Sequence, residues 1–157
     1  MYMKKINLYL LITVLAFAAC KSEPAYQKTH TFQGNTWNRF DNQIFEIPVN
    51  ETGKNYDIFL TMKRTAEYPY DELPINVVLQ TSSGEERIHE FTFKFSESIK
   101  DSELKEADSL SVEFQLWKEI LLSEKGKCTI TIENMIPKIA TSGIATIGII
   151  MRKSKAN

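Results

Sequence analysis

Few side chains in this sequence are suited to catalysis or metal binding. Among its 157 residues are two histidines, His30 and His89, and two cysteines, Cys20 and Cys128. A zinc site needs three or four Cys, His or carboxylate ligands at short paired spacings, and these four residues lie far apart in the chain. We therefore predict no metal site and no cofactor, and we interpret His89 as a surface or partly packed residue of a strand.

Sequence motifs of enzymes are also missing. No serine lies in a Gly-x-Ser-x-Gly elbow, and no glycine-rich phosphate loop or EF-hand calcium loop is present. A carboxylate pair of the kind that hydrolyses glycosides would occur by chance among 20 acidic residues. A Ser-His-Asp triad assembles in space rather than in sequence, so a hydrolase that uses His30 or His89 stays an alternative. Our main interpretation assigns no catalytic residue.

The first twenty residues have the pattern of an export signal. Two lysines precede the apolar stretch 6–19, which is shorter than the roughly 20 residues of a bilayer-spanning helix. Two alanines end this stretch directly before Cys20, and the arrangement resembles a bacterial lipobox. The resemblance implies that residues 1–19 are a lipoprotein signal peptide and that Cys20 is acylated, which gives a stable membrane anchor. The alternative is an ordinary cleaved signal with an incidental cysteine.

The residues after the signal indicate a tether. Residues 20–28 are polar and include Pro24, as expected of a linker between lipid and domain. Lys21 follows the cysteine where, by analogy with enteric bacteria, an aspartate would retain a lipoprotein at the inner membrane. We therefore expect a location in the cell envelope, at the outer membrane rather than the inner. With Cys20 lipidated, Cys128 has no disulfide partner, and its alternating neighbours indicate a small strand residue.

Composition limits the class of protein. Lysine and arginine number 19 against 20 acidic residues, for a net charge of −1, and a nucleic-acid-binding protein would have a basic excess. Apolar residues make up 43% of the chain, enough for a folded core. Six glycines, five prolines and two cysteines exclude a collagen-like chain or a disulfide scaffold. The chain length fits one domain.

Alternation with a period of two dominates residues 29–157, which we assign to a single domain. Ile58, Leu60 and Met62 share one face of a predicted strand. Apolar or alternating runs cover residues 44–49, 56–62, 75–79, 87–95, 112–116, 129–133 and 145–152. The run 75–79 is more continuously apolar than the others, which is consistent with a strand buried on both sides, whereas Ser98–Leu110 indicates a surface loop with a short helix. These spacings favour an all-β fold, an antiparallel β-sandwich with jelly-roll-like topology.

Aromatic residues stand beside acids in one segment between two predicted strands. Tyr68-Pro69-Tyr70 is followed by two carboxylates, a combination with which sandwich modules bind sugars. A glycan-binding module is therefore an alternative function. We favour the interpretation that the rings pin a proline-rich crossover to the edge of the sandwich. Trp37 and Trp117 are interpreted as core or rim residues.

The same segment resembles a known family. An arginine at position 64, followed by Tyr-Pro-Tyr and then by a leucine before an apolar strand, is similar to the signature of the GldH family of gliding-motility lipoproteins from Bacteroidetes. The C-terminal third agrees with this family as well. The further matching segments are Gly126–Thr129, Glu133–Met135, Ile139, Gly143-Ile144 and Thr146–Ile149. With the lipobox, the resemblance spans most of the chain.

The resemblance implies an envelope lipoprotein, not an enzyme, that belongs to gliding machinery or the associated type IX secretion system. Its expected partners are the membrane, through lipid on Cys20, and other envelope proteins, with no nucleic acid and no small-molecule ligand. The candidate interaction loop consists of Tyr68, Pro69, Tyr70, Asp71, Glu72 and Leu73. The alternatives are a glycan-binding β-sandwich module on a lipid anchor and a lipid-anchored hydrolase.

Overall fold

The computed structural model describes residues 23–95 and 109–155. The elements that lie wholly within these ranges are β-strands and one 3-10 turn at Gln33–Asn35. The strands are β1 (Tyr26–Thr31), β2 (Thr36–Asn38), β3 (Gln43–Val49), β4 (Lys54–Thr65), β5 (Glu72–Gln80), β6 (Glu86–Lys94), β7 (Ser109–Leu122), β8 (Gly126–Asn134), β9 (Ala140–Ser142) and β10 (Ile144–Lys153). The predicted all-β fold is confirmed.

The strands form two four-stranded sheets and a short ribbon. Sheet 1 has the order β1-β10-β4-β7, sheet 2 has the order β3-β8-β5-β6, and the ribbon pairs β2 with β9. Every one of these pairings is antiparallel. Apart from the ribbon, the eight longer strands are divided between the sheets in the order of a jelly roll. The predicted antiparallel sandwich with jelly-roll-like topology is therefore confirmed.

The core lies between the two sheets, where every second side chain of a strand points inward. Ile58, Leu60 and Met62 of β4 are at most 1% exposed, as their alternation predicts. Burying a side chain of this size contributes about 1.5–3 kcal/mol to folding. The alternation of the sequence thus determines which face of β4 is inside.

Strand β5 differs from its predicted burial. Ile75, Val77 and Leu79 are buried, but Asn76 and Val78 on the other face are only half-buried. The apolar run is therefore not buried on both sides. The reason is that β5 lies inside sheet 2, where β8 and β6 shield its outer face only partly.

The phenylalanines of β6 line one side of the sandwich. Phe91 and Phe93 are half-buried because β6 is an edge strand, and Phe95 just after it is buried. The ring of Phe93 stacks on that of Phe114 with centroids 4.4 Å apart, and Phe91 meets Trp117 edge-on at 6.1 Å. Trp117 is thus a rim residue, and the aromatic contacts join the edges of the two sheets.

The two ends of the sandwich carry different connections. The basal end holds the start of β1, the end of β10 and the hairpins β3–β4, β5–β6 and β7–β8. The distal end holds the connections 32–42, 66–71 and 135–143. Because β1 pairs with β10 from Tyr26 onward, the folded sheet includes residues 26–28, which the sequence analysis assigned to the tether.

Several sequence assignments lie outside the described residues. They are the signal peptide 1–19, Cys20, and the segment 98–110 except for its last two residues, which begin β7. Within the described residues there is no helix that is both long enough and apolar enough to cross a membrane.

Candidate interaction site at the distal end

The candidate interaction loop is only partly accessible. Tyr68 is 5% exposed and Leu73 is fully buried, so these two residues belong to the core. Tyr70 is half-buried, and the exposed members are Pro69, Asp71 and Glu72. The surface that the loop offers is therefore limited to the four residues 69–72.

Tyr68 fastens the loop to the core. Its hydroxyl donates a hydrogen bond to the backbone carbonyl of Glu72 at 2.8 Å, and its ring meets those of Tyr70 and Phe95 edge-on at 5.6 and 5.5 Å. Burial raises the pKa of the Tyr68 phenol well above its ordinary value. With its ring enclosed, Tyr68 cannot stack against a sugar, and this favours our interpretation that the rings pin the crossover.

Arg64 lies beneath the same loop and was not assigned a role from the sequence. It is 9% exposed, and its guanidinium carbon lies 4.5 Å from the centroid of the Phe95 ring. The attraction between a cation and an aromatic face is worth about 1–2 kcal/mol in such a partly desolvated place. The positive charge also opposes the rise in the pKa of Tyr68. The arginine of the family signature was the sequence signal that could have identified Arg64 as a residue of this site.

Gly143 allows the loop to lie close to the start of β10. Its φ of +82° is in the left-handed region that favours glycine. A Cβ atom built on Gly143 would lie 2.5 Å from Cα of Tyr68 and 2.7 Å from the carbonyl carbon of Glu67. The Thr65 backbone N–H donates to the carbonyl of Gly143 at 2.9 Å. Two segments far apart in sequence are thus packed backbone against backbone.

The ribbon of β2 and β9 closes the distal end beside this loop. Trp37 is fully buried, and its indole N–H donates to the carbonyl of Asp41 at 2.8 Å. The buried side chain of Asn134 donates to the carbonyl of Trp37 at 3.4 Å and accepts from the N–H of Ile136 at 2.9 Å. The interpretation of Trp37 as a core residue is confirmed.

Two large apolar side chains project from the end of the ribbon. Phe40 is 84% exposed and Ile139 is 81% exposed. The N–H of Arg39 donates to the carbonyl of Ile139 at 2.9 Å, which places the two side chains on adjoining segments. We call the pair Phe40 and Ile139 the ribbon tip. Neither residue belongs to an alternating run, so no sequence pattern predicted this pair.

The two histidines are not brought together. His30 is exposed on β1, an edge of sheet 1, and His89 is exposed on β6, an edge of sheet 2. The ring of His89 packs against Phe91 with centroids 4.8 Å apart, as expected for a partly packed strand residue. Among the described residues, no three His, Cys, Asp or Glu side chains are grouped so that they could hold a metal ion.

Cys128 is a buried residue of β8, and this location predicts sensitivity to alkaline pH. Burial raises the pKa of its thiol from 9.0 to about 11, so between these values the unfolded chain releases a proton that the folded chain keeps. We expect the free energy of unfolding to be unaffected below about pH 9 and to fall above it by up to about 1.4 kcal/mol per pH unit.

Urea unfolding of the wild type and of Cys128→Ala at about pH 8 and about pH 10 measures this effect. The wild type should lose stability between the two conditions, and the variant should lose much less. The buried phenol of Tyr68 also favours unfolding at alkaline pH, but its ordinary pKa of 10.0 is higher than that of the thiol, so its effect begins at a higher pH. Equal losses in both proteins would contradict the assignment to Cys128.

Among solved structures, two similar ones are carbohydrate-active proteins. A family GH115 4-O-methyl-α-glucuronidase matches with a TM-score of 0.47 and 9% identity, over 87% of this chain and 18% of that one. The xylan-binding module CBM15 matches with a TM-score of 0.43 and 11% identity, over 87% of this chain and 96% of that one.

Sequence comparison gives a closer relationship. The gliding motility lipoprotein GldH of Flavobacterium johnsoniae is 26% identical over 84 residues, which are 54% of this chain and 52% of that protein. The chain therefore spans about half the length of the curated relative it matches. The model of the GldH lipoprotein family matches residues 24–151, from before β1 into β10. The protein is thus a member of the GldH lipoprotein family.

Proposed function

We propose that this lipoprotein is anchored in the outer membrane through acylated Cys20 and serves, without catalysis, as an assembly component of gliding or type IX secretion machinery. One observation carries the proposal. Arg64, Tyr68 and Gly143, which the resemblance picks out from distant parts of the sequence, pack together at the distal end. That end lies opposite the start of β1, where the tether joins the domain, and it carries the exposed loop residues 69–72.

The accessible loop residues are held in place before any partner binds. Two backbone hydrogen bonds add to the one made by the Tyr68 hydroxyl. The N–H of Tyr68 donates to the carbonyl of Thr65 at 3.2 Å, and the N–H of Phe95 donates to the carbonyl of Asp71 at 2.9 Å. A preorganised loop loses little conformational freedom on binding, which favours affinity. This supports a role for residues 69–72 in docking.

The exposed part of the loop is acidic. Asp71 and Glu72 of the loop are exposed to solvent, as is Glu67 just before it. Complementary potentials across an interface raise the rate of association and select the partner. The loop therefore fits a basic surface on another envelope protein.

Reversing this charge should remove the partner without unfolding the domain. We expect Asp71→Lys combined with Glu72→Lys to lose a defined set of envelope proteins that the wild type captures, because both side chains are exposed. The measurement is crosslinking in cells of the tagged, membrane-anchored protein, followed by mass spectrometry. A matched control combines Glu86→Lys with Glu124→Lys, two exposed acids at the basal end, and should retain the captured proteins.

Two results would count against the proposal. One is the capture of only abundant bystander proteins by the wild type, and the other is equal loss of partners in the loop variant and the control. Either result would make a glycan-binding screen the next experiment. Separately, Cys20→Ser should release the protein from the membrane fraction, and its retention there would contradict the anchor.

A further inference from the structure

The ribbon tip is an unusual surface for a folded domain. Phe40 and Ile139 keep more than four-fifths of their surface in water, although large apolar side chains grouped together outside the core mark interaction sites. The ribbon itself is firmly held, because the side chain of its residue Trp37 is buried and donates a hydrogen bond to the carbonyl of Asp41. The exposure of the tip is therefore built into a rigid element.

We propose that the ribbon tip inserts into the surface of the lipid bilayer that holds the anchor, so that the protein rests on the membrane at two points. The proposal depends on the acylation of Cys20 proposed above. It adds a second contact, made by the folded domain, and it fixes how the domain is oriented on the membrane.

The residues around the tip suit a bilayer with anionic headgroups. Arg39 and Lys138 are the direct neighbours of Phe40 and Ile139 in the chain, and Asp41 is the one acid in residues 36–42 and 136–142. Aromatic and aliphatic side chains enter the boundary between headgroups and acyl chains, while flanking bases attract anionic lipid. The tip combines both features.

The size of the tip also favours lipid over a protein partner. A stable protein interface buries at least about 1,200 Å² in total, whereas a large side chain supplies roughly 150–250 Å². Two side chains fall well short of that area. For a molecule already tethered to the bilayer, however, a second contact is intramolecular and needs little affinity of its own.

The tether and the tip adjoin opposite ends of β1, on the side of the sandwich that is formed by the edge strands β1 and β3. β1 and β3 are edge strands of their sheets and contact each other, and the connection 32–42, which contains Phe40, runs between them. The tether leads directly into β1 at Tyr26. From Cys20 to Tyr26 the chain reaches about 20 Å when extended, so a sandwich lying on this side brings the anchor and the tip to the same membrane.

A fluorophore beside the tip tests the contact in the acylated full-length protein. Ala140→Cys is exposed and adjoins Ile139, and it can be labelled selectively because Cys20 carries lipid and Cys128 is buried. The protein is reconstituted in vesicles of phosphatidylethanolamine and phosphatidylglycerol that include a lipid with a nitroxide on its acyl chain. We expect about a twofold loss of fluorescence at position 140, since the reporter sits at the boundary of the hydrocarbon.

Two controls keep the result specific. A label at Ile88→Cys, an exposed position on the opposite edge strand β6, should not be quenched. Phe40→Asp combined with Ile139→Asp should abolish quenching at position 140 while the protein still floats with the vesicles, because both side chains are exposed and their replacement leaves the core intact.

Each other result overturns the inference. Flotation without quenching at position 140, equal quenching at positions 140 and 88, or quenching that survives the double aspartate variant would each show that the tip does not enter the bilayer. A photocrosslinker at position 140 that forms an adduct with a protein in cells, dependent on Phe40, would assign the tip to that protein instead. Failure of the wild type to float would overturn the anchor itself.

Discussion

Gly143→Ala is expected to remove at least about 4 kcal/mol of the free energy of unfolding. A non-glycine residue in the left-handed region costs about 1–2 kcal/mol, and φ of Gly143 is +82°. The larger cost is steric, since the new Cβ would collide with the backbone nitrogen of Tyr68 and lie 2.5 Å from its Cα. Backbone atoms cannot rotate aside, so the whole segment that carries Tyr68 would have to lift from β10.

Denaturant unfolding followed by tryptophan fluorescence measures this loss, and Gly84→Ala is the matched control. Gly84 has a similar φ of +87°, but a Cβ there would meet no atom within 4 Å. Its replacement should cost only the conformational strain, about 1–2 kcal/mol. If the two variants were equally stable, close approach between Gly143 and the loop would not be a determinant of the fold.

Trp37→Ala is expected to cost about 3–5 kcal/mol, the usual range for removing a buried aromatic side chain. The indole is fully buried and stacks on Phe32 with ring centroids 5.4 Å apart. Its loss leaves a cavity under the ribbon and removes the hydrogen bond to the carbonyl of Asp41. The ribbon should then detach from the end of the sandwich.

Phe40→Ala, three residues further along the same connection, is the matched control for this prediction. Because Phe40 is 84% exposed, its truncation should change the free energy of unfolding by no more than about 0.5 kcal/mol. Urea unfolding of both variants distinguishes Trp37, which attaches the ribbon to the core, from Phe40, which is exposed on the ribbon. A large loss for Phe40→Ala would mean that its side chain packs within the domain.

The sequence was sufficient to predict the sandwich because one buried face imposes a period of two on a strand. Ile58, Leu60 and Met62 show this directly, as does Phe95 with the two phenylalanines before it. The run 75–79 misled because a mostly apolar strand also occurs in the middle of a sheet with one open face. Burial on the second face depends on what packs over it, which the strand's own residues do not specify.

The distal end was harder to predict for physical reasons. Strands β2 and β9 have three residues each, too few for a period to be visible, and Trp37 is buried although its strand belongs to neither four-stranded sheet. Residues 68–71 of the candidate loop lie between β4 and β5, whereas Glu72 and Leu73 begin β5. The burial of Tyr68 depends on Gly143, which topology alone brings beside it. No local pattern reports such a contact.

The order of the strands in sheet 1 has a consequence for the time at which the domain forms. β1 has β10 as its one partner among the described strands, and β10 also separates β1 from β4. A nascent chain therefore cannot complete this sheet until β10 has left the ribosome, and pairings across so much sequence form slowly. We expect the polypeptide to stay unfolded during synthesis, which is the condition required for threading through a translocon, and to fold only after export.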